Sequence, residues 1–462
     1  MQNRLIALVC VLFLAGSAGC LRNDVPQASD GATLPTEDSA VYDNDRVLAA
    51  LKAAYLNESR DPPHFDPDFI EEQDWTFADV HQHFQQNCVP CHNNSGYAPF
   101  ELTSYRDIRK RSKAIREALE TMLMPPWPAD TNYTRFCNEQ TLPASVRSQL
   151  IQWIDQGAKL GADNTSLIDV PPVRLNQPDL VIEAPLHHTI TSDSDTYVCF
   201  IFDPHFENDT FVNAIEFFSD NPETLHHLTL YLDTNGVVDD KPDCWVCDRE
   251  SILGELAPLD AWVKGLRPVI YREGLSYRFP KGSKFLLQTH YEGDRHKGKK
   301  EKTGLGFHFT PPPKQEIKWT SLQNFDIFLP ANQVTAQAIV HVTEKPFTVL
   351  GFYPHMHFLG KKAEVFARTE AGDKIPLLSI PKWDYLLQTK YMLETPIHLP
   401  AGSTIYMNAV FDNTEDNPEQ PNFPIRDVRY NLTAYEEMLV LGLFYTTEPD
   451  LENTDCIVRL LE

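Results

Sequence analysis

Cys88-Val89-Pro90-Cys91-His92 sets two thiols one helical turn apart, with an imidazole beside the second. Thiols so spaced can form thioethers to the two vinyl groups of one porphyrin, and the adjacent imidazole can take an axial position on its iron. This is the attachment signature of c-type haem. A structural disulfide or half of a zinc site would use the same cysteines, but zinc needs a second ligand pair and only Cys137 remains in this part of the chain. The other axial ligand is expected downstream in a loop, and Thr121-Met122-Leu123-Met124-Pro125-Pro126-Trp127 offers one. Met124, directly before the prolines, is the first candidate and Met122 the second, because proline stiffens the backbone behind the ligand. A Met/His pair raises the reduction potential and suits electron transfer.

Three histidine groups follow much later: His226-His227 in ETLHHLTLY, His290 in LLQTHYEG, and His355-Met356-His357 in GFYPHMHFLG. Strand alternation sends residues two apart to the same face, so His355 and His357 can grip one metal while Met356 points away. Adjacent His226 and His227 nominally face opposite sides. They can share a metal only at a bulge or strand end, or through different ring nitrogens. Imidazoles suit copper or zinc, and an added thioether favours copper because soft sulfur stabilises Cu(I). His187-His188 sits in a turn-like context and reads as a decoy, whereas His205, His296, His308, His341 and His398 read as structural or surface residues.

The elements that must position these groups change in texture along the chain. From 74 to 162 the pattern is helical: VHQHFQQ, DIRKRSKAIREALETML and PASVRSQLIQWIDQG carry apolar residues at three- and four-residue spacing. Pro143-Ala144-Ser145 fits a helix start and Gly157 a helix end. After the connector VPPVRLNQPD come short runs rich in β-branched and aromatic residues, among them TYVCFIF, HHLTLYLD, KFLLQTHYE, FTVLGFYPHMHF and MLVLGLFYTT. Such runs predict antiparallel sandwiches or jelly rolls. A multidomain chain is therefore expected: a small all-α cytochrome c domain at 74–162, then two antiparallel β-sandwich (jelly-roll) domains at 172–313 and 314–462, divided near Pro311-Pro312-Pro313. The 462 residues allow about three domains.

The first twenty residues read as an export signal. Arg4 precedes an apolar stretch from Leu5 to Ala15, too short to cross a bilayer, and Ser17-Ala18-Gly19 leads to Cys20. This is similar to a bacterial lipoprotein signal, in which Cys20 would be lipidated, although Ser17 stands where an aliphatic residue is usual. Residues 1–19 are thus expected to be a signal peptide, and 20–73 a lipid anchor and flexible linker with a short helix around Arg46 to Leu56. The expected location is exported, as a periplasmic or cell-envelope lipoprotein touching the membrane through its anchor only. A net charge of −25 argues against nucleic acid, whose phosphates require clustered Lys and Arg. Export exposes thiols to an oxidising compartment. Beyond Cys10, Cys20, Cys88 and Cys91 there remain Cys137, Cys199, Cys244, Cys247 and Cys456, which cannot all pair with one another. A local Cys244–Cys247 disulfide, or one to Cys199, is expected.

The order HH, QTHY, HMH and a late Met resembles the copper type II, ascorbate-dependent monooxygenases, which include the peptidylglycine α-hydroxylating and dopamine β-hydroxylating enzymes. SDSDTYVCF before the HH segment, the form HxHxLGK, and YEEMLVLGLFY agree with it, over about residues 175–450. The resemblance implies one copper on His226, His227 and His290 that relays electrons. It implies a second on His355, His357 and Met438 that activates O2, with one jelly roll per copper across a solvent-filled cleft. His187-His188 matches no ligand of that family. An Arg two positions before HxH, and Asn and Tyr after the Met, hold the peptide carboxylate in the amidating enzymes. Here those positions are Tyr353, Val440 and Gly442, so a carboxylate clamp is missing and a more apolar pocket is implied.

Together these readings predict an O2-dependent copper monooxygenase that carries two copper ions and covalently bound haem c. It would hydroxylate a C–H bond of a small organic substrate, aromatic, aliphatic or lipid-like. Electrons would pass from an external donor (a cytochrome, quinol chain or ascorbate-like reductant) to the haem, then to the first copper and the second. A non-catalytic periplasmic electron-transfer or copper-handling protein is the alternative, and a haem-based redox sensor a third reading.

Overall fold

Phe77, Val80 and Phe84 recur at helical spacing and all three are buried, which fixes one face of a helix against its neighbours. In the computed structural model, which describes residues 21–22, 44–57, 73–93, 98–161, 168, 174–247, 256–263, 266, 268–293, 295–431, 433–447 and 456–460, five helices are α1 (Asn44–Asn57), α2 (Phe77–Asn87), α3 (Tyr105–Lys110), α4 (Ser112–Glu120) and α5 (Ala144–Asp155). A capping box of Thr76 and Asp79 starts α2. Pro143 caps α5, and Gly157, at φ +92°, follows its end. Trp153 of α5 meets Phe84 of α2 edge-on at 5.8 Å. The run 107–123 forms two helices instead of one. The backbone breaks at Arg111 (φ −110°, ψ 9°), whose guanidinium lies 4.6 Å from the centre of the Phe100 ring.

Beyond residue 174 the described structure is predominantly β. The segment TYVCFIF is the strand Thr196–Phe202, and Lys284–Tyr291 pairs with it on one side and with Leu225–Asp233 on the other. These strands belong to a six-stranded sheet ordered Leu21–Arg22, Cys244–Val246, Thr196–Phe202, Lys284–Tyr291, Leu225–Asp233, Ala257–Val263. A seven-stranded sheet built on Thr210–Ser219 and Thr303–Thr310 faces it, and inward side chains of both, such as Phe200, Phe285, Val212 and Phe307, share one core. A second sandwich pairs two four-stranded sheets. One is ordered Lys318–Gln323, Val440–Thr446, Phe347–His355, Tyr391–Leu399; the other is Gln333–Val342, Thr404–Asn413, Gly360–Arg368, Lys374–Ile380. Their inner residues, Phe352 and Leu441 against Val365 and Phe411 among them, form the second core.

The domain limits differ from the expected ones because distant segments bury apolar surface on both sandwiches. The expected boundary at 313/314 shifts: Gln315–Glu316 still pairs with Leu275–Ser276 of the first sandwich, and the C-terminal strand Val458–Leu460 returns to pair with Val269–Tyr271. The segment after α4 leaves the helical unit, and Trp127, Ala129 and Phe136 join the second core. Within 20–73, α1 lies at the expected short helix, whereas Leu21–Arg22 pairs in the part expected to be a flexible tether. Leu21–Arg22 forms an edge strand beside Trp245 and Val246, and Tyr55 of α1 donates to Asp412 of the second sandwich at 2.8 Å. The expected signal peptide (1–19) and the Cys20 lipidation site lie outside the described residues. No helix among the described residues is long and apolar enough to cross a membrane.

Candidate metal centres and haem site

His227 lies directly opposite His290 in the antiparallel ladder, and the next pairing joins Tyr291 to Leu225. His226 is therefore the extra residue of a β-bulge, which lets two consecutive side chains turn to the same side. The ligating nitrogens of His226, His227 and His290 all lie within 4.8 Å of one another. Nδ1 of His227 is 3.0 Å from Nδ1 of His226 and 3.4 Å from Nδ1 of His290. A neutral imidazole has a single N–H, so three converging Nδ1 atoms present lone pairs to one point when the far nitrogens carry the protons. The far nitrogens of His290 and His226 have acceptors. Nε2–H of His290 donates to Asp195 at 3.2 Å and Nε2–H of His226 to Tyr385 Oη at 2.5 Å. Burial works to raise the Asp195 carboxyl, but hydrogen bonding and charge from His290 and the Gly293 N–H bring it below the usual carboxylate range. Tyr197 stacks on His290 at 4.3 Å and 17°.

The second group forms at strand ends. The strand Phe347–His355 stops at His355, so His357 lies beyond it and strand alternation is not what brings the two rings together. Met356 does point away, fully buried in the second core. The His355 and His357 rings meet at 81° with centres 5.0 Å apart. Each is held from behind: His355 Nδ1 by Gln388 Oε1 at 2.5 Å, His357 Nδ1 by the Glu436 carbonyl at 3.0 Å. That tautomer leaves the ring lone pair on Nε2 in both. Met438, buried, precedes the strand Val440–Thr446. The carboxylate of Glu437 ties the segments together, accepting the backbone N–H groups of His357 at 2.9 Å, Leu359 at 2.7 Å and Met438 at 3.0 Å. Complete burial pushes the Glu437 carboxyl up to about 8.

Both groups line one cavity of about 420 Å³ between the sandwiches. Tyr385 touches each: its hydroxyl meets His226 and its ring lies 5.9 Å from that of His357. Leu256, Val263, Trp319, Phe325, Tyr353 and Val440 supply apolar wall, and among the described residues no Asp, Glu, Lys or Arg lines it. A side chain at Gly442 has no room, because its Cβ would fall 2.7 Å from Trp319 Nε1 and 3.1 Å from Tyr353 Cβ. Tyr353, Val440 and Gly442 therefore place no Arg or Asn at the three positions that hold a carboxylate in the amidating enzymes.

In the helical unit, Cys88 caps α2 and the chain makes one further turn, with Cys91 and His92 N–H both donating to the Cys88 carbonyl. Cys88 and Cys91 are thiols. His92 Nδ1 is 3.0 Å from the Phe100 carbonyl, which leaves the lone pair on Nε2. Burial lowers the His92 pKa, which favours the neutral ring. Met122, Leu123 and Met124 form an exposed apolar run, 42%, 58% and 38% accessible, the surface a flat apolar group would cover. Arg147 of α5 donates from Nη1 to the Leu119 and Met124 carbonyls at 2.7 and 3.2 Å, which holds the run in place.

Cys199 and Cys247 form a disulfide across neighbouring strands, the pairing to Cys199 instead of the local one; Cys244 is disulfide-bonded as well. His188 lies buried on a short strand against the Tyr291 ring, a core residue in place of the expected turn. Sequence reasoning missed Asp195, Tyr197, Tyr385, Gln388 and Glu437. The first two stand in the quoted SDSDTYVCF, and Glu437 is next to Met438. Tyr385 and Gln388 belong to a loop with no motif.

No family model matches this chain, and no curated protein matches it. Among solved structures it is similar to the cowpea mosaic virus top component, at 8% identity over 63% of this chain and 98% of that one, with a TM-score of 0.29. It is also similar to the capsid of PBCV-1 virus (9% identity, 63% and 98% covered, TM-score 0.21) and to Paenibacillus xanthan lyase (12%, 60% and 28%, TM-score 0.15). Likenesses this faint carry no argument about fold or function.

Proposed function

We propose that this chain is a copper-dependent monooxygenase that hydroxylates a C–H bond of an uncharged organic molecule with O2 and receives its electrons through a covalently bound haem. The observation that carries this reading is the pair of donor groups, three imidazoles on one side and two imidazoles with a buried thioether on the other, lining one cavity. Converged Nδ1 atoms in the first group and rear-held rings in the second fit metal ions of imidazole preference, and Met438 makes copper the better fit for the second. Copper ions at His226/His227/His290 and at His355/His357/Met438 would supply one-electron storage and O2 activation. Haem c, held by Cys88, Cys91, His92 and Met124, would supply electrons singly. The helical unit is then a cytochrome c domain and the sandwiches are jelly rolls, as the motif resemblance implies, in an exported lipoprotein.

The chain's own residues have definable tasks. Asp195 and Tyr385 hold the protons of His290 and His226 on the far nitrogens. Gln388 and the Glu436 carbonyl fix the second pair of rings, and Glu437 sets the distance between the His357 and Met438 segments. The charge-free wall binds substrate by apolar contact and excludes water from it. A cationic substrate would lose its hydration there with no carboxylate in the described wall to offset its charge.

Metal and haem quantification on purified protein, followed by a substrate screen under 18-O-labelled O2, tests the proposal. Two coppers, one haem and one labelled oxygen per product are expected. Two coppers and a haem with no labelled product would leave an electron-transfer or copper-handling protein. Zinc held permanently at both sites would end the oxygenase reading.

A further inference from the structure

Cys137 and Cys456 are far apart in sequence, and neither belongs to the haem motif or to a described disulfide. They meet in space. The two thiols hydrogen-bond to each other, and the backbone N–H groups of Ile457 and Val458 also point at the Cys137 sulfur. Cys137 Sγ in turn donates to the Leu393 carbonyl at 3.2 Å.

The backbone on each side of this contact is pinned. Phe136 bridges Leu393, and the Cys137 N–H donates to the Met392 carbonyl at 2.7 Å, which fastens the segment after α4 to the strand Tyr391–Leu399 of the second sandwich. On the other side, Arg272 N–H donates to the Ile457 carbonyl at 3.0 Å and Val458–Leu460 pairs with Val269–Tyr271 of the first sandwich. The sulfurs are thus held together by hydrogen bonds that do not involve them. Closing a bond between them requires little further ordering of the chain.

We propose that Cys137 and Cys456 form a disulfide that staples the helical unit's connector to the C-terminal strand, and so the second sandwich to the first. The reaction is a thiol–disulfide exchange: Cys137–SH and Cys456–SH each give up one hydrogen, an S–S bond forms between them, and an incoming disulfide R–S–S–R is reduced to two R–SH. The oxidant is a disulfide-bearing oxidoreductase or a small-molecule disulfide. Burial, first, pushes the Cys137 thiol up to about 12, so in the folded chain it is a poor attacking thiol and closure belongs to folding, before the site is covered. The strand it anchors directly follows the loop that carries Tyr385 and Gln388. The staple therefore also steadies the part of the second sandwich that reaches His226 and His355.

The test uses the full chain, refolded with a glutathione redox pair, blocked with iodoacetamide without reduction, digested, and read by mass spectrometry. A peptide joining Cys137 to Cys456, lost on reduction, is expected, beside the Cys199–Cys247 peptide that shows the sample was oxidised. With Cys199–Cys247 joined, alkylated Cys137 and Cys456, or either one joined to a different cysteine or to glutathione, would overturn the pairing. In a Cys456→Ser variant, Cys137 should take up iodoacetamide once the chain is unfolded in denaturant. Failure to do so would mean that Cys137 has another partner. Neither readout depends on copper, haem or turnover, so the result stands apart from the proposed activity.

Discussion

Tyr385 of the second sandwich places its hydroxyl 2.5 Å from Nε2 of His226 in the first. The phenol is buried, and burial pushes its pKa far above the usual tyrosine value, so it remains a neutral hydroxyl that can accept the imidazole N–H. The same loop sends Gln388 to His355. One connection between two strands therefore orients a ring in each donor group. The geometry of one group cannot drift without disturbing the other.

Tyr385→Phe keeps the ring and removes the acceptor. The affinity of the His226/His227/His290 site for copper should fall about 10- to 100-fold, the usual loss when a partner behind a ligating imidazole is removed. Competition against a calibrated Cu(I) chelator measures it. An unchanged affinity would show that Tyr385 does not orient His226.

Asp260 and Lys390 form a buried ion pair across the two sandwiches at 2.5 Å, with both side chains almost wholly covered. Asp260→Asn leaves the ammonium without its counter-charge, and breaking such a pair costs about 3–5 kcal/mol. Denaturant unfolding should show this loss. A variant as stable as the parent would mean that water reaches Lys390.

Glu301 is buried and accepts the Tyr291 hydroxyl at 2.6 Å. Burial pushes its carboxyl from 4.5 up to about 7, so the folded chain holds this proton more tightly than the unfolded chain. Its contribution to stability is complete below pH 4.5, declines as pH rises through the folded value, and is flat above it. Glu301→Gln removes the decline, so the variant should gain on the parent by up to roughly 3 kcal/mol between acid and mildly basic pH. Urea unfolding across that range checks it; parallel profiles for the two proteins would contradict the shift.

Arg147→Ala removes the donor that holds the Met124 loop through two carbonyls. If Met124 is the sixth ligand, the thioether-to-iron charge-transfer band of the ferric haem should weaken or vanish while the covalent haem content stays constant. Cys88→Ala combined with Cys91→Ala should abolish covalent haem altogether. An undiminished thioether band in Arg147→Ala would place the ligand elsewhere or its support on other residues.

Much of this protein is written locally. The Cys88-Val89-Pro90-Cys91-His92 spacing, the helical periodicity around α2 and α5, and strands such as Thr196–Phe202 depend on neighbouring residues, whose backbone preferences and apolar spacing act within a few positions. The histidine spacings are equally plain, and the doubled His226-His227 admits a bulge, a strand end or the use of different ring nitrogens. Tertiary structure decided what spacing cannot express. The bulge at His226 arises from a slip against the Lys284–Tyr291 strand, and His357 gains its place past the end of a strand through the Glu436 carbonyl and the Glu437 carboxylate. Tyr385, the Asp260–Lys390 pair, the returning C-terminal strand and the meeting of Cys137 with Cys456 join residues distant in the chain. Contacts of that kind depend on how two cores bury their shared surface, and a linear pattern carries no record of which remote segment will complete it.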